Sequence, residues 1–219
     1  MERTLKNRKS YFMYDFAKVT GGIPALLYYR PRFLYPEGKT GLPKGGCIIV
    51  SNHNSFSNPV VLLTSFWRRR LFFMATTELM NNAPGRFVFR HFHCIPVDKE
   101  NFNMDTWYGI SGCVTSGKVA VIFPEGFVDT DRGENDEINP LKEGAVLMAM
   151  KTGAPLVPVY IAPRKSWLCR QRVVVGKPME LEGGKFSISL VKDYTERLYN
   201  EMSSLRQYYW ESCKKGERI

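Results

Sequence analysis

An α/β fold, a single domain built on a mainly parallel sheet flanked by helices, is what this 219-residue sequence predicts. Three observations predict it. Short apolar runs of strand character alternate with longer segments of helical character, the pattern of a parallel sheet crossed by helices. The length fits one domain that buries a substantial core. Two polar turns, at 52–58 and 124–126, directly follow two of the apolar runs, and ligands of such sheets sit at the carboxyl ends of the strands.

The elements follow in order. Residues 1–35 read as an amphipathic helical lead-in, interrupted at Gly21-Gly22 and Pro24. A turn-rich connector covers 36–46, and 36–219 form the main domain. The run 47–50 is a buried strand. Helix 59–67 starts strongly, because Asn58 suits the N-cap and Pro59 the first helical position. Strand 71–74, helix 84–92 and the short strand 95–97 come next. Helix 105–116 stops at Gly117. The run 119–123 is the clearest strand of the chain. Helix 142–151 stops at Gly153, strands follow at 156–161 and 172–175, and a helix over about 187–213 closes the domain.

The net charge is +10, from 31 Lys+Arg against 21 Asp+Glu. Residues 1–44 carry nine Lys/Arg and three Asp/Glu, interleaved with Tyr11, Phe12, Phe16, Leu27, Tyr28 and Phe33. Apolar side chains beside cations suit an anionic membrane surface. They also suit a helix docked on the core with its charges in water, and both readings stand. The chain shows no nucleic-acid readout module. No apolar run approaches the ~20 residues of a membrane span, and the start lacks the apolar core of a signal peptide. The five cysteines are odd in number, dispersed and without a C-x-x-C, which fits a reducing compartment and argues against structural zinc. The expectation is a peripheral or monotopic protein on the cytoplasmic face of a membrane.

The ordered motifs are Asn52-His53-x4-Asn58, Ile95-Pro96-Val97-Asp98-Lys99, Phe123-Pro124-Glu125-Gly126, Lys142-Glu143-Gly144-Ala145, Val157-Pro158-Val159 and Val175-Gly176-Lys177-Pro178. From about residue 45 to 180 they resemble the phospholipid-synthesis acyltransferases, the glycerolipid acyltransferases typified by bacterial 1-acylglycerol-3-phosphate acyltransferase. That family carries N-H-x-x-x-x-D, P-V-D-R, F-P-E-G-T-R and a V-P-V-like strand. This chain departs at three places. Asn58 stands for the aspartate, Lys99 for the arginine, and Phe127-Val128 for the Thr-Arg.

The resemblance implies transfer of a fatty acyl group from acyl-CoA or acyl-carrier protein to a lysophospholipid hydroxyl, with no cofactor. 1-Acylglycerol-3-phosphate would become phosphatidic acid. An alcohol needs a base as it attacks, and His53 is the candidate, since imidazole has the right basicity. Asn58 can accept a hydrogen bond from the ring and set its tautomer, but supplies no charge; an Asp→Asn change in a serine-protease triad costs about 10⁴-fold. Cap plus orienter is the expectation for Asn58, cap alone the alternative. Glu125 and Gly126 would face the acceptor, although a Pro-Glu-Gly turn with a solvated carboxylate fits the same residues. Gly126 permits close backbone approach. Lys99 keeps a cation for the acceptor phosphate without arginine's fork, and Arg132 is the candidate to replace the cation missing at Val128.

The departures keep two alternatives open: a different acceptor, the amine or hydroxyl of an aminoacyl lipid, and a catalytically weakened lipid-binding relative. Asp129 to Glu137 holds five acids and one arginine. It reads as a solvated loop rather than a metal site, because the implied chemistry needs no metal. His91-Phe92-His93-Cys94 reads as ordinary structure entering a strand. Arg68-Arg69-Arg70 reads either as helix-end cations or as a headgroup contact.

Overall fold

The computed structural model describes residues 11–39, 41–97, 104–130, 137–164, 166–182 and 187–214. The strands are β1 (Arg32–Leu34), β2 (Cys47–Ser51), β3 (Leu71–Thr76), β4 (Ile95–Val97), β5 (Val119–Ile122), β6 (Leu156–Ile161) and β7 (Arg172–Val175). The helices are α1 (Tyr11–Thr20), α2 (Gly22–Tyr29), α3 (Asn58–Ser65), α4 (Ala83–Phe92), α5 (Met104–Thr115), α6 (Gly144–Thr152) and α7 (Ile188–Lys214). One sheet runs in the order β1-β7-β6-β2-β5-β3-β4. All pairs are parallel except β6 with β7.

Alternation along the strands divides the core in two. Ile48, Val50, Ala120 and Ile122 face α5, α6 and α7. Cys47, Ile49, Val119 and Val121 face α3 and the end of α2. Both faces are covered, so the central strands are apolar throughout, as buried parallel strands must be. On α7 the buried residues Val191, Leu198, Met202, Leu205 and Tyr209 recur at helical spacing, giving one apolar stripe toward the sheet.

The expected α/β class is observed, with two differences of detail. Residues 32–34 form an edge strand beside β7 instead of ending the helical lead-in. The cause is tertiary: Gln171 N–H donates to Tyr29 O and Arg32 N–H to Gln171 O, both at 2.8 Å. The second difference is β7, which turns back antiparallel on β6 through the short connection at 162–171. Gly117, at φ +73°, ends α5 as expected.

The two N-terminal helices meet at Gly21 and grip the sheet at the start of β3. The Tyr14 hydroxyl donates to Leu71 O at 3.3 Å and accepts from Leu71 N at 3.0 Å. Burial pushes its phenol up to about 12. Arg70 holds Asp15 through two bonds, of 3.0 and 2.6 Å. Arg69 donates to the carbonyls of Pro43, Gly45 and Gly117. Arg69 and Arg70 therefore brace the N-terminal helices and the loops around them. The outward side of α1 and α2 is apolar: Phe12, Phe16, Val19, Ile23 and Leu27 are exposed. Among the described residues no helix is long and apolar enough to cross a membrane.

Candidate active site

β2 pairs with β6 on one side and β5 on the other. Their parallel carboxyl ends therefore deliver Ile161, Asn52 and Phe123 to one edge. Asn52 is fully buried, and its side chain imitates a strand partner: Oδ1 accepts from Ile161 N at 2.7 Å, and Nδ2 donates to Ile161 O at 3.0 Å. Asn54 Nδ2 donates to the same carbonyl at 3.2 Å. Asn58 Nδ2 donates to Asn52 O at 3.1 Å and to Asn54 Oδ1 at 3.0 Å. The bonds from Asn54 and Asn52 to Ile161 settle which amide atom faces Asn58. Three amides thus tie the residue before His53 to the residue after it.

The other turn holds His53 by its main chain. His53 N–H donates to Glu125 Oε1 at 3.2 Å, and Asp129 N–H donates to His53 O at 2.9 Å. Glu125 is 2% exposed. Its Oε2 accepts from Asn139 Nδ2 at 2.9 Å, and the same Nδ2 donates to Asp129 Oδ2 at 3.0 Å. The imidazole stacks on Phe123, centroids 4.0 Å apart and planes at 18°, and Phe123 lies parallel to Phe73 behind it. An aromatic face beneath an imidazole favours its cation.

Gly126 has φ +80°, and a Cβ built there would come within 2.8 Å of Lys142 Cε and Nζ. The left-handed backbone favours glycine there, and the end of the Lys142 side chain lies across it. Lys142 N–H also donates to Pro124 O at 2.9 Å. An open cleft of about 380 Å³ lies beside the motif. Its walls include Tyr28, Asn54, Asn58, Asp129, Arg164 and Trp167.

Of the residues singled out from sequence, His53, Asn58, Glu125 and Gly126 are brought together. Lys99 and Arg132 lie outside the described residues. The expectation that Asn58 caps α3 is corrected. Ser57 occupies the cap position, Asn58 is the first helical residue, and its amide is turned back into the 52–54 turn. Glu125 is not the solvated carboxylate of a plain turn but a buried brace under His53. Asp129 likewise belongs to that brace. His91 and Phe92 lie in α4, and His93 ends it in the left-handed conformation, φ 51°. The sequence reading missed Asn54, Asn139, Lys142 as a cation, and Arg164. Asn54 was visible inside the motif, but Asn139 and Arg164 reach the site from distant loops and leave no local signal.

The Acyltransferase family matches residues 34–162, more than half of the chain. The 1-acyl-sn-glycerol-3-phosphate acyltransferase of Bacillus subtilis (strain 168) is 27% identical over 147 residues, 64% of this chain and 71% of that protein. The enzyme of the same name from Streptococcus pneumoniae is 27% identical over 177 residues, 77% of this chain and 64% of that protein. A probable 1-acyl-sn-glycerol-3-phosphate acyltransferase of Mycoplasma pneumoniae is 24% identical, and the match spans 55% of its length. The crystal structure of the 1-acyl-sn-glycerophosphate acyltransferase PlsC from Thermotoga maritima shares the fold, with TM-score 0.63 at 19% identity over 94% of this chain and 84% of that one. With the family matched across the strands that carry His53 and Glu125, the chain belongs to the glycerolipid acyltransferases and is an O-acyltransferase.

Proposed function

We propose that the protein moves a fatty acyl group from acyl-CoA or acyl-carrier protein to the free hydroxyl of 1-acylglycerol-3-phosphate at a membrane surface, forming phosphatidic acid. The observation that carries this reading is the clamp on His53, held through both backbone groups by the Glu125–Asp129 turn. A base fixed at the edge of the sheet can meet a hydroxyl in one defined geometry.

In this reading His53 takes the hydroxyl proton as the oxygen attacks the thioester carbonyl. The C–O bond forms, the C–S bond breaks, and the thiolate leaves with the proton returned from imidazolium. No acyl-enzyme is needed. Asn58 acts as a positioning residue through the 52–54 turn. The face of Phe123 and the acidic Glu125–Asp129 turn favour the imidazolium that an aspartate at 58 would otherwise stabilise. Lys99, Arg132 and Lys142 are the cations proposed for the acceptor phosphate. In this reading α1 and α2 form the membrane-associating segment, and the acyltransferase domain begins with β1. The exposed apolar side of α1 and α2 supports a membrane-surface mode.

The test is release of free thiol from each donor in the presence of lysophosphatidate. His53→Ala is expected to lower the rate by about 10²–10⁴-fold. Absence of turnover with every lysolipid, or a His53→Ala protein as active as the parent, sinks the reading. A second reading keeps the reaction and changes the acceptor to an aminoacyl lipid. It is favoured by Val128 and the exposed Phe127 where the family carries Thr-Arg, and an acceptor screen by lipid mass spectrometry separates the two.

A further inference from the structure

The connection between β6 and β7 leaves two large apolar side chains in water. Trp167 is 68% exposed and Leu168 63%. Its backbone is nonetheless braced. Arg164 Nε donates to Cys169 O at 2.8 Å, and its Nη2 donates to Tyr28 O at 2.8 Å and to Trp167 O. Arg30, in the left-handed conformation after α2 (φ 44°), donates to Leu168 O. Arg170 Nε donates to Arg30 O at 3.2 Å. The carbonyls of 167, 168 and 169 are thus satisfied from within, while the Trp and Leu side chains stand outward.

Two consequences follow. A tip whose carbonyls are already bonded loses less when it leaves water than one that relies on solvent. The three arginines are bonded to carbonyls rather than carboxylates among the described residues, so their positive charge is not neutralised there. An apolar Trp-Leu tip collared by cations complements one partner, the headgroup region of an anionic bilayer. Indole sits at the interface, and guanidinium meets lipid phosphate.

We propose that the Trp167-Leu168 tip is a second membrane contact, separate from the face of α1 and α2, and that it sets the cleft mouth against anionic lipid. Trp167 and Arg164 are also walls of the cleft beside Asn58, so insertion would place the cleft at the surface that supplies a lipid acceptor. This inference rests on the membrane-surface reading above.

The experiment uses the full chain in flotation with phosphatidylglycerol and phosphatidylcholine vesicles, together with quenching of tryptophan emission by brominated lipid. Trp167→Ser/Leu168→Ser is expected to bind phosphatidylglycerol vesicles at least about tenfold more weakly. Trp167→Phe, which keeps the loop, is expected to lose most of the lipid quenching seen in the parent. Equal binding by parent and double variant, or unchanged quenching in Trp167→Phe, overturns the proposal. So does light scattering that shows a dimer dissolved by the double substitution, since the occupant is then a second copy. Loss of binding in Phe16→Ser/Leu27→Ser with full binding by the tip variant removes the tip assignment alone. A parent chain that binds no vesicle removes the membrane-surface reading with it.

Discussion

At the scale of single residues, Asn58 does work that an aspartate could not. Its amide nitrogen points at two oxygens, Asn52 O and Asn54 Oδ1, and a carboxylate there would face both without a proton to give. Asn58→Asp is therefore expected to lose activity rather than regain it. The variant should lose about 1–3 kcal/mol of stability, because one buried carbonyl loses its donor and a charge enters a buried site. Thiol release and thermal unfolding measure the two effects; a gain in rate with unchanged stability contradicts the assignment. His53, Glu125 and Gly126 were legible because their types and order are local facts of the chain. The direction of the Asn58 amide was not, since its orientation depends on Ile161, more than a hundred positions away.

At the scale of elements, α1 is attached to the start of β3 by Tyr14, Lys18 and Asp15. The Arg70 bond holds the Asp15 carboxyl below its usual range, with partial burial opposing. A carboxylate with a lowered folded pKa contributes stability above its unfolded value of 3.8 and loses it as pH falls further. The melting temperatures of the parent and Asp15→Asn are thus expected to differ slightly at pH 7, within the ~1 kcal/mol of an exposed pair. The difference should close as pH falls below 3.8. A difference that grows on acidification would count against the pairing. The main strands and helices were legible within a residue or two from apolar runs and glycine stops. β1 was not: three half-buried residues carry no pattern of their own, and only pairing with β7 makes them a strand.

At the scale of the whole molecule, the two-sided core decides which groups chemistry can reach. Burial pushes the thiols of Cys47 and Cys94 up to about 11 and that of Cys113 up to about 12, so little thiolate exists there at pH 8. Cys169 is exposed beside the Trp-Leu tip. An aromatic disulfide reagent added to the folded protein at pH 8 should give a fast phase that Cys169→Ser removes. The two buried thiols, Cys47 and Cys113, should react only on unfolding. Rapid labelling of all five cysteines would mean that the core opens readily.

What the sequence determined alone was the class of fold, the order of its main elements and the residue types of the His53 and Glu125 turns. Each is written in local periodicity, in residue type and in spacing along the chain. Tertiary structure alone decided that Glu125 braces His53 from beneath, that Asn58 faces its own turn, and that three arginines hold Trp167 and Leu168 outward. Each of these depends on hydrogen bonds between segments far apart in sequence, and such bonds take their geometry from the closed sheet.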